Sequence, residues 1–241
     1  MTGWLAAATV LAQIGYPLTS GTARNVLTVV TVLLFAATSI VHAGRTQGWS
    51  YAARFVAITA GGGFLVEVVG VAFGIPFGSY VYADTLGPRL FGVPLVIPLA
   101  WTMMAWPSWL VAGRLVRSRW LRVLVAGWAL ASWDVFLDPQ MVAAGHWRWL
   151  DPSPSLPGIS AVPLTNYVGW MVVAVALMAL LSTQSESNCN HDGIMMALYL
   201  WTYGSSVLAH AVFLGLPASA LAGGIAMGTV AIPLAVKLVR S

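Results

Sequence analysis

The chain has 241 residues, 59% of them hydrophobic and only 7% charged, with a mean hydropathy of +0.83. That balance excludes a soluble globular domain, in which about a quarter of residues are charged, and identifies an integral membrane protein. The net charge of +4 does not argue for a nucleic-acid partner, because the basic residues sit in short loops beside apolar runs and report orientation.

Apolar runs near bilayer-crossing length recur at roughly 4–18, 24–43, 51–74, 92–113, 119–138, 162–182, 193–214 and 216–236. They predict an all-α polytopic membrane helical bundle of eight transmembrane helices, 1–241 forming a single domain, with no internal repeat. The first run is short and holds Gln13 and Pro17, so seven spans with an interfacial first helix is the alternative. No basic residues precede it, so it is not read as a removable signal. The second run ends at His42 beside Arg45, expected at the cytoplasmic surface. On the third, Ala60, Gly63, Glu67, Gly70 and Gly74 form a small-residue stripe on which a neighbouring helix can pack, which points Glu67 into the bundle.

Arg114, Arg117, Arg119 and Arg122 crowd the connection between the fourth and fifth runs, which the positive-inside rule places in the cytoplasm. Eight basic residues then fall inside and three (Arg24, Arg89, Arg148) outside, with both termini cytoplasmic. The single cysteine, Cys189, falls in a cytoplasmic loop and can form no intramolecular disulfide. Two outer connections, 73–94 and 139–163, are long and rich in Gly, Pro and aromatics. Irregular backbone of that kind is tolerated near a membrane only where protein or a wet cavity covers it, so both are expected to cap one end of the bundle.

With this orientation Glu67, Asp134, Asp138, Asn166 and His210 share one level near the outer face. Gly127, Ala131, Asp134 and Asp138 line one face of the fifth span, and Tyr199, Tyr203, Ser206 and His210 one face of the seventh. Two carboxyls a helical turn apart in a poorly solvated site cannot both ionise cheaply, so one should hold its proton. Pro139 is expected to end the helix there, which leaves Asp138 near a carbonyl terminus that disfavours negative charge. Such a group suits general-acid work. The bland alternatives are a structural pair bonded to Arg148 or loop backbone, a protonated Glu67 tying two helices, an interfacial His210, and an Asp84 that caps a turn. Most of the twelve tryptophans suit the interfacial belt. Trp101 and Trp106 lie inside a span, and Trp133 and Trp170 flank the polar residues, where ring faces can stabilise a cation.

The stretches GIPFGSYVYADTLGPRLFGVPLVIPLAW (74–101), DVFLDPQMVAAGHWRW (134–149) and VPLTNYVGW (162–170) resemble the membrane carotenoid hydratase family. The resemblance implies addition of water to the terminal double bond of an acyclic carotenoid, giving a tertiary alcohol, in a bacterial or archaeal cytoplasmic membrane. The partners implied are the carotenoid, water and membrane lipid, with no cofactor or metal. On that footing Asp138 or Asp134 delivers the proton and the partner carboxylate or Glu67 orients the water. Asp84, Tyr80, Tyr82, Trp101, Trp133, Asn166, Trp170 and His210 are the substrate-binding candidates. Three other readings compete. DVFLD matches the DxxxD spacing of intramembrane prenyltransferases, but no second acidic cluster stands on the same level. A proton-coupled transporter needs a polar path through inner halves that read as apolar. A carotenoid end-group cyclase would use the same carbocation without water.

Overall fold

The computed structural model describes residues 1–185 and 192–240; Cys189 lies outside them. Helix α1 (Thr2–Gly15) runs through a 3-10 turn at Tyr16–Leu18 into α2 (Gly21–Gln47). Helices α3 (Trp49–Val56) and α4 (Gly62–Phe73) are joined by a π turn at Ala57–Gly61 into one rod. Then come α5 (Ile97–Leu115), α6 (Arg119–Ala143), α7 (Leu164–Leu181), α8 (Gly193–Leu208) with a second π turn at Ala209–Phe213, and α9 (Pro217–Val239).

Five of these segments are long and apolar enough to cross a membrane: Gly21–Gln47, Trp49–Phe73, Arg119–Ala143, Leu164–Leu181 and Pro217–Val239. The protein is therefore a helical membrane protein. Helix α1 has 14 residues, fewer than the ~20 that a crossing needs, and α8 reaches that length only together with its π turn. Helix α5 is different in kind, since every residue from Ala100 to Ala112 is buried. It packs against α2, α6 and α8, and a helix enclosed on all sides meets neighbours rather than lipid or water.

Prolines inside helices show how such a bundle is held. Proline lacks the N–H that would bond the carbonyl four residues back, leaving a buried acceptor unmet. In α5, Pro107 frees Met103, whose oxygen accepts from Ser39 Oγ of α2 at 2.8 Å. In α6, Pro139 frees Val135, whose oxygen accepts from Ser219 Oγ of α9 at 2.8 Å. A serine from a neighbouring helix thus replaces each lost backbone bond. The expectation that α6 ends at Pro139 is corrected: it continues to Ala143, so Asp138 is not in its last turn.

The two long connections, 73–94 and 139–163, cap one end, and they are not merely irregular. Strand β1 (Tyr80–Tyr82) pairs antiparallel with β4 (Trp147–Trp149), joining the first connection to the second. Hairpins β2 (Arg89–Leu90) with β3 (Val93–Pro94), and β5 (Ser155–Leu156) with β6 (Ile159–Pro163), complete the cap.

The half of the bundle away from the cap also departs from expectation. His42 is buried, and its Nδ1 accepts from Trp106 Nε1 at 3.0 Å. Tyr51 is buried against the Trp106 ring, and nearer the middle of the bundle the Thr59 and Thr102 hydroxyls meet at 2.9 Å. That half holds a polar cluster where the sequence reads as apolar, and His42 is enclosed rather than surface-placed.

Candidate active site

Strand alternation aims the cap at the bundle. In the β1–β4 ladder Tyr80 faces Trp149 and Tyr82 faces Trp147, whereas Val81 and Arg148 point outward. Successive residues on one strand face therefore bring two phenols to the same carboxylate: Tyr80 Oη and Tyr82 Oη donate to Glu67 Oε2 at 2.6 and 2.8 Å. Trp101 Nε1 of α5 donates to Oε1 at 3.2 Å. Three donors on an acceptor-only group suit the ionised form, and all three partners are neutral. Burial, and then the Glu67 charge, raise both phenols well above their usual range, so they serve only as donors.

Small residues on α4 make the approach possible. A Cβ at Gly70 would stand 2.6 Å from Tyr80 Oη, and one at Gly63 would stand 2.7 Å from the Trp101 ring. The stripe expected from the sequence is thus the surface that admits the two donors.

On α6, Asp134 and Asp138 are 0% and 3% exposed. Asn166, in the first turn of α7, donates through Nδ2 to Asp134 Oδ2 at 2.8 Å and also to Asp138 Oδ2. Trp147 Nε1 donates to Asp138 Oδ1 at 3.1 Å. One amide thus holds both carboxyl groups side by side, and a single proton on the pair would remove the repulsion of two buried like charges. Arg148 is exposed on the strand face turned away; the neutral Trp147 takes the place in which the bland reading put it.

Glu67, Asp138 and Asn166 line a cavity of about 520 Å³. Asp134 stands behind them, its Oδ1 buried without a partner among the described residues. Trp101 and Trp170 stack at 3.9 Å and 16°, and Trp133 meets Trp170 edge-on at 6.2 Å. All three tryptophans border the cavity, which gives it indole faces beside the acids.

Two candidates fall elsewhere. Asp84 is an exposed loop residue paired with Arg89 at 2.8 Å, and it does not line the cavity. His210 is buried behind the wall: Nδ1 meets Ser219 Oγ at 2.9 Å and Nε2 meets Gln140 Oε1 at 3.0 Å, with Gln140 itself on the lining. The seventh-span face of Tyr199, Tyr203 and His210 turns toward α6 and α9: the tyrosines donate to the backbone oxygens of Ala129 and Gly224, as His210 meets Gln140 and Ser219. Sequence reasoning missed Trp147 and Gln140. It also gave Tyr80 and Tyr82 a substrate-binding role without their bonds to Glu67. His146, buried between Thr28 Oγ1 at 3.4 Å and Thr85 Oγ1 at 2.8 Å, ties the cap to α2. Burial lowers its imidazole to about 4, so it is neutral near pH 7.

Bisanhydrobacterioruberin hydratase of Haloarcula japonica is 33% identical over 120 residues, 46% of this chain and 39% of that protein. The chain thus covers well under half the length of that curated relative. No solved structure matches. The family profile described as carotenoid biosynthesis protein matches residues 26–230. That match takes in the small-residue stripe, both capping connections and the acid pair, and on its extent the chain belongs to the carotenoid biosynthesis protein family.

Proposed function

We propose that the protein is a carotenoid hydratase that adds water to the terminal carbon–carbon double bond of an acyclic end group. The observation that carries this reading is a pair of buried carboxyls, Asp134 and Asp138, held by one Asn166 amide, of which Asp138 borders an indole-walled cavity. An unactivated alkene needs a strong, desolvated acid, and the cation formed needs negative charge and ring faces close by.

In the proposed reaction Asp138 gives its proton to the less substituted alkene carbon, and the double-bond electrons form the new C–H bond. The tertiary cation left on the neighbouring carbon is stabilised by the Glu67 carboxylate and the faces of Trp101 and Trp170. Water then forms the C–O bond, and its surplus proton returns to the Asp134–Asp138 pair. The sum is one alkene plus one water giving one tertiary alcohol, with the acid regenerated. The buried hydroxyls of Thr31 and Thr202, which line the cavity and bond no protein group among the described residues, are the candidate seats for that water. The arginine distribution supports a cap on the outer side, both termini cytoplasmic, and the remaining three helical segments also embedded in the membrane.

The test is expression in a host that accumulates an acyclic carotenoid, followed by mass analysis of the pigments. Gain of one water per reacted end supports hydration. An isomer of unchanged mass, or addition of a prenyl unit, overturns it.

A further inference from the structure

The cavity does not close around the acids. From Asp138 and Glu67 its lining runs to Ile14 and Leu18 at the end of α1, and to Leu208 and Phe213 on α8 and its π turn. These four apolar side chains are 44%, 67%, 56% and 50% exposed. A residue that borders an interior space and also faces outward marks a break in the wall. Here the break lies between two helices of a membrane bundle, and its apolar edges suit contact with lipid better than with water. A hydrogen bond on the lining, Trp201 Nε1 to Gln13 Oε1 at 2.8 Å, crosses the seam.

We propose that a long acyclic polyene is admitted end-first from the bilayer through the seam between the α1 terminus and α8, and that the seam holds its stem while the end group rests against Asp138. The proposal rests on the polyene substrate of the reading above. Three features of the seam fit that occupant. The path is continuous from lipid-facing residues to the buried acid. Its volume of about 520 Å³ falls within the roughly 300–1,000 Å³ of ligand cavities, so a rod longer than the cavity keeps its far end in the bilayer. Among the described residues no charged side chain lines the path apart from Glu67 and Asp138 at its inner end, so an apolar stem displaces little bound water on the way in.

Gly204 gives a direct test, because it lines the cavity and a Cβ there meets nothing within 4 Å. A large side chain at this position fills the seam without striking the fold. Gly3, on α1 away from the cavity and equally open, serves as the control. Wild type, Gly3→Phe, Gly204→Phe and Leu208→Trp are purified in mild detergent from a host rich in an acyclic carotenoid. Bound pigment is read by absorbance and product by mass. Wild type and Gly3→Phe are expected to retain the polyene, and Gly204→Phe and Leu208→Trp to lose more than about tenfold of it with unchanged helicity and a single size-exclusion peak. If Gly204→Phe fails to fold, Leu208→Trp decides alone, since its parent side chain already faces outward. Retention by the blocked variants, or no pigment on wild type, overturns the seam. Pigment loss on blocking with no hydrated product from wild type leaves the seam standing and removes the hydratase reading. Full hydration by Gly204→Phe does the reverse.

Discussion

Two buried polar centres sit in the same bundle and have opposite fates. Away from the cap His42 bonds Trp106, and toward the middle of the bundle Thr59 bonds Thr102. None of these residues lines the cavity. At the cap end, Glu67, Asp134, Asp138 and Asn166 are as deeply buried, yet three of the four border an open space walled by indoles. A buried polar side chain in a membrane protein is therefore not itself the mark of a reaction centre. The difference lies in what the partners leave free: the sealed centre spends its groups on helix packing, whereas the capped centre holds acids against a cavity.

The comparison breaks most sharply at Asp138. Asp138→Asn keeps the shape and removes the transferable proton, so hydration should fall by about 10²–10⁴-fold while the protein stays folded and inserted, as read by pigment mass analysis and membrane fractionation. Asp134→Asn removes the shared proton from behind and should cost about 10²-fold. Near-normal product from both variants would dismiss the acid assignment. Tyr80→Phe deletes one of three donors to Glu67, an interaction of about 1.5–3 kcal/mol, and should slow turnover by roughly tenfold or more without altering pigment retention. In the sealed centre the effect should move from turnover to stability. His42→Ala leaves the Trp106 N–H without this acceptor and should cost about 1–3 kcal/mol of stability, seen as a lower Tm, with unchanged turnover per folded molecule. Equal loss of turnover in His42→Ala and Asp138→Asn would erase the distinction.

The smallest expected effect concerns the cap. The folded value of His146, about 4, lies below the ~6.5 of a free imidazole. The unfolded chain therefore binds more protons between those values, and stability drops as pH falls from about 6.5 toward 4. The loss is read as a fall in Tm that His146→Gln flattens. A pH-independent Tm in wild type across that window would contradict the buried neutral imidazole.

Local periodicity carries some of this architecture and distance hides the rest. Asp134, Asp138 and Asn166 are legible because helical spacing and span direction put them on one level. The stripe around Glu67 is legible because glycines at helical spacing mark a close approach. The role of Trp147 is not, since it depends on pairing Tyr80–Tyr82 with a strand more than sixty residues away. The continuation of α6 past Pro139 is hidden for the same reason: the hydroxyl that relieves Val135 comes from Ser219, 84 residues downstream. Gln140 reaches the cavity wall only because of that continuation. Asp84 misled in the other direction, since a carboxylate in a conspicuous loop motif is spent on its neighbour Arg89.

The most direct test of the central claim follows the proton itself. Turnover of an acyclic carotenoid in heavy water by wild type should place one non-exchangeable deuterium on the carbon next to the new tertiary alcohol for each end hydrated, and Asp138→Asn should form almost none. Alcohol formed without that carbon-bound deuterium, or formed with it at the wild-type rate by Asp138→Asn, would contradict proton delivery from the carboxyl pair.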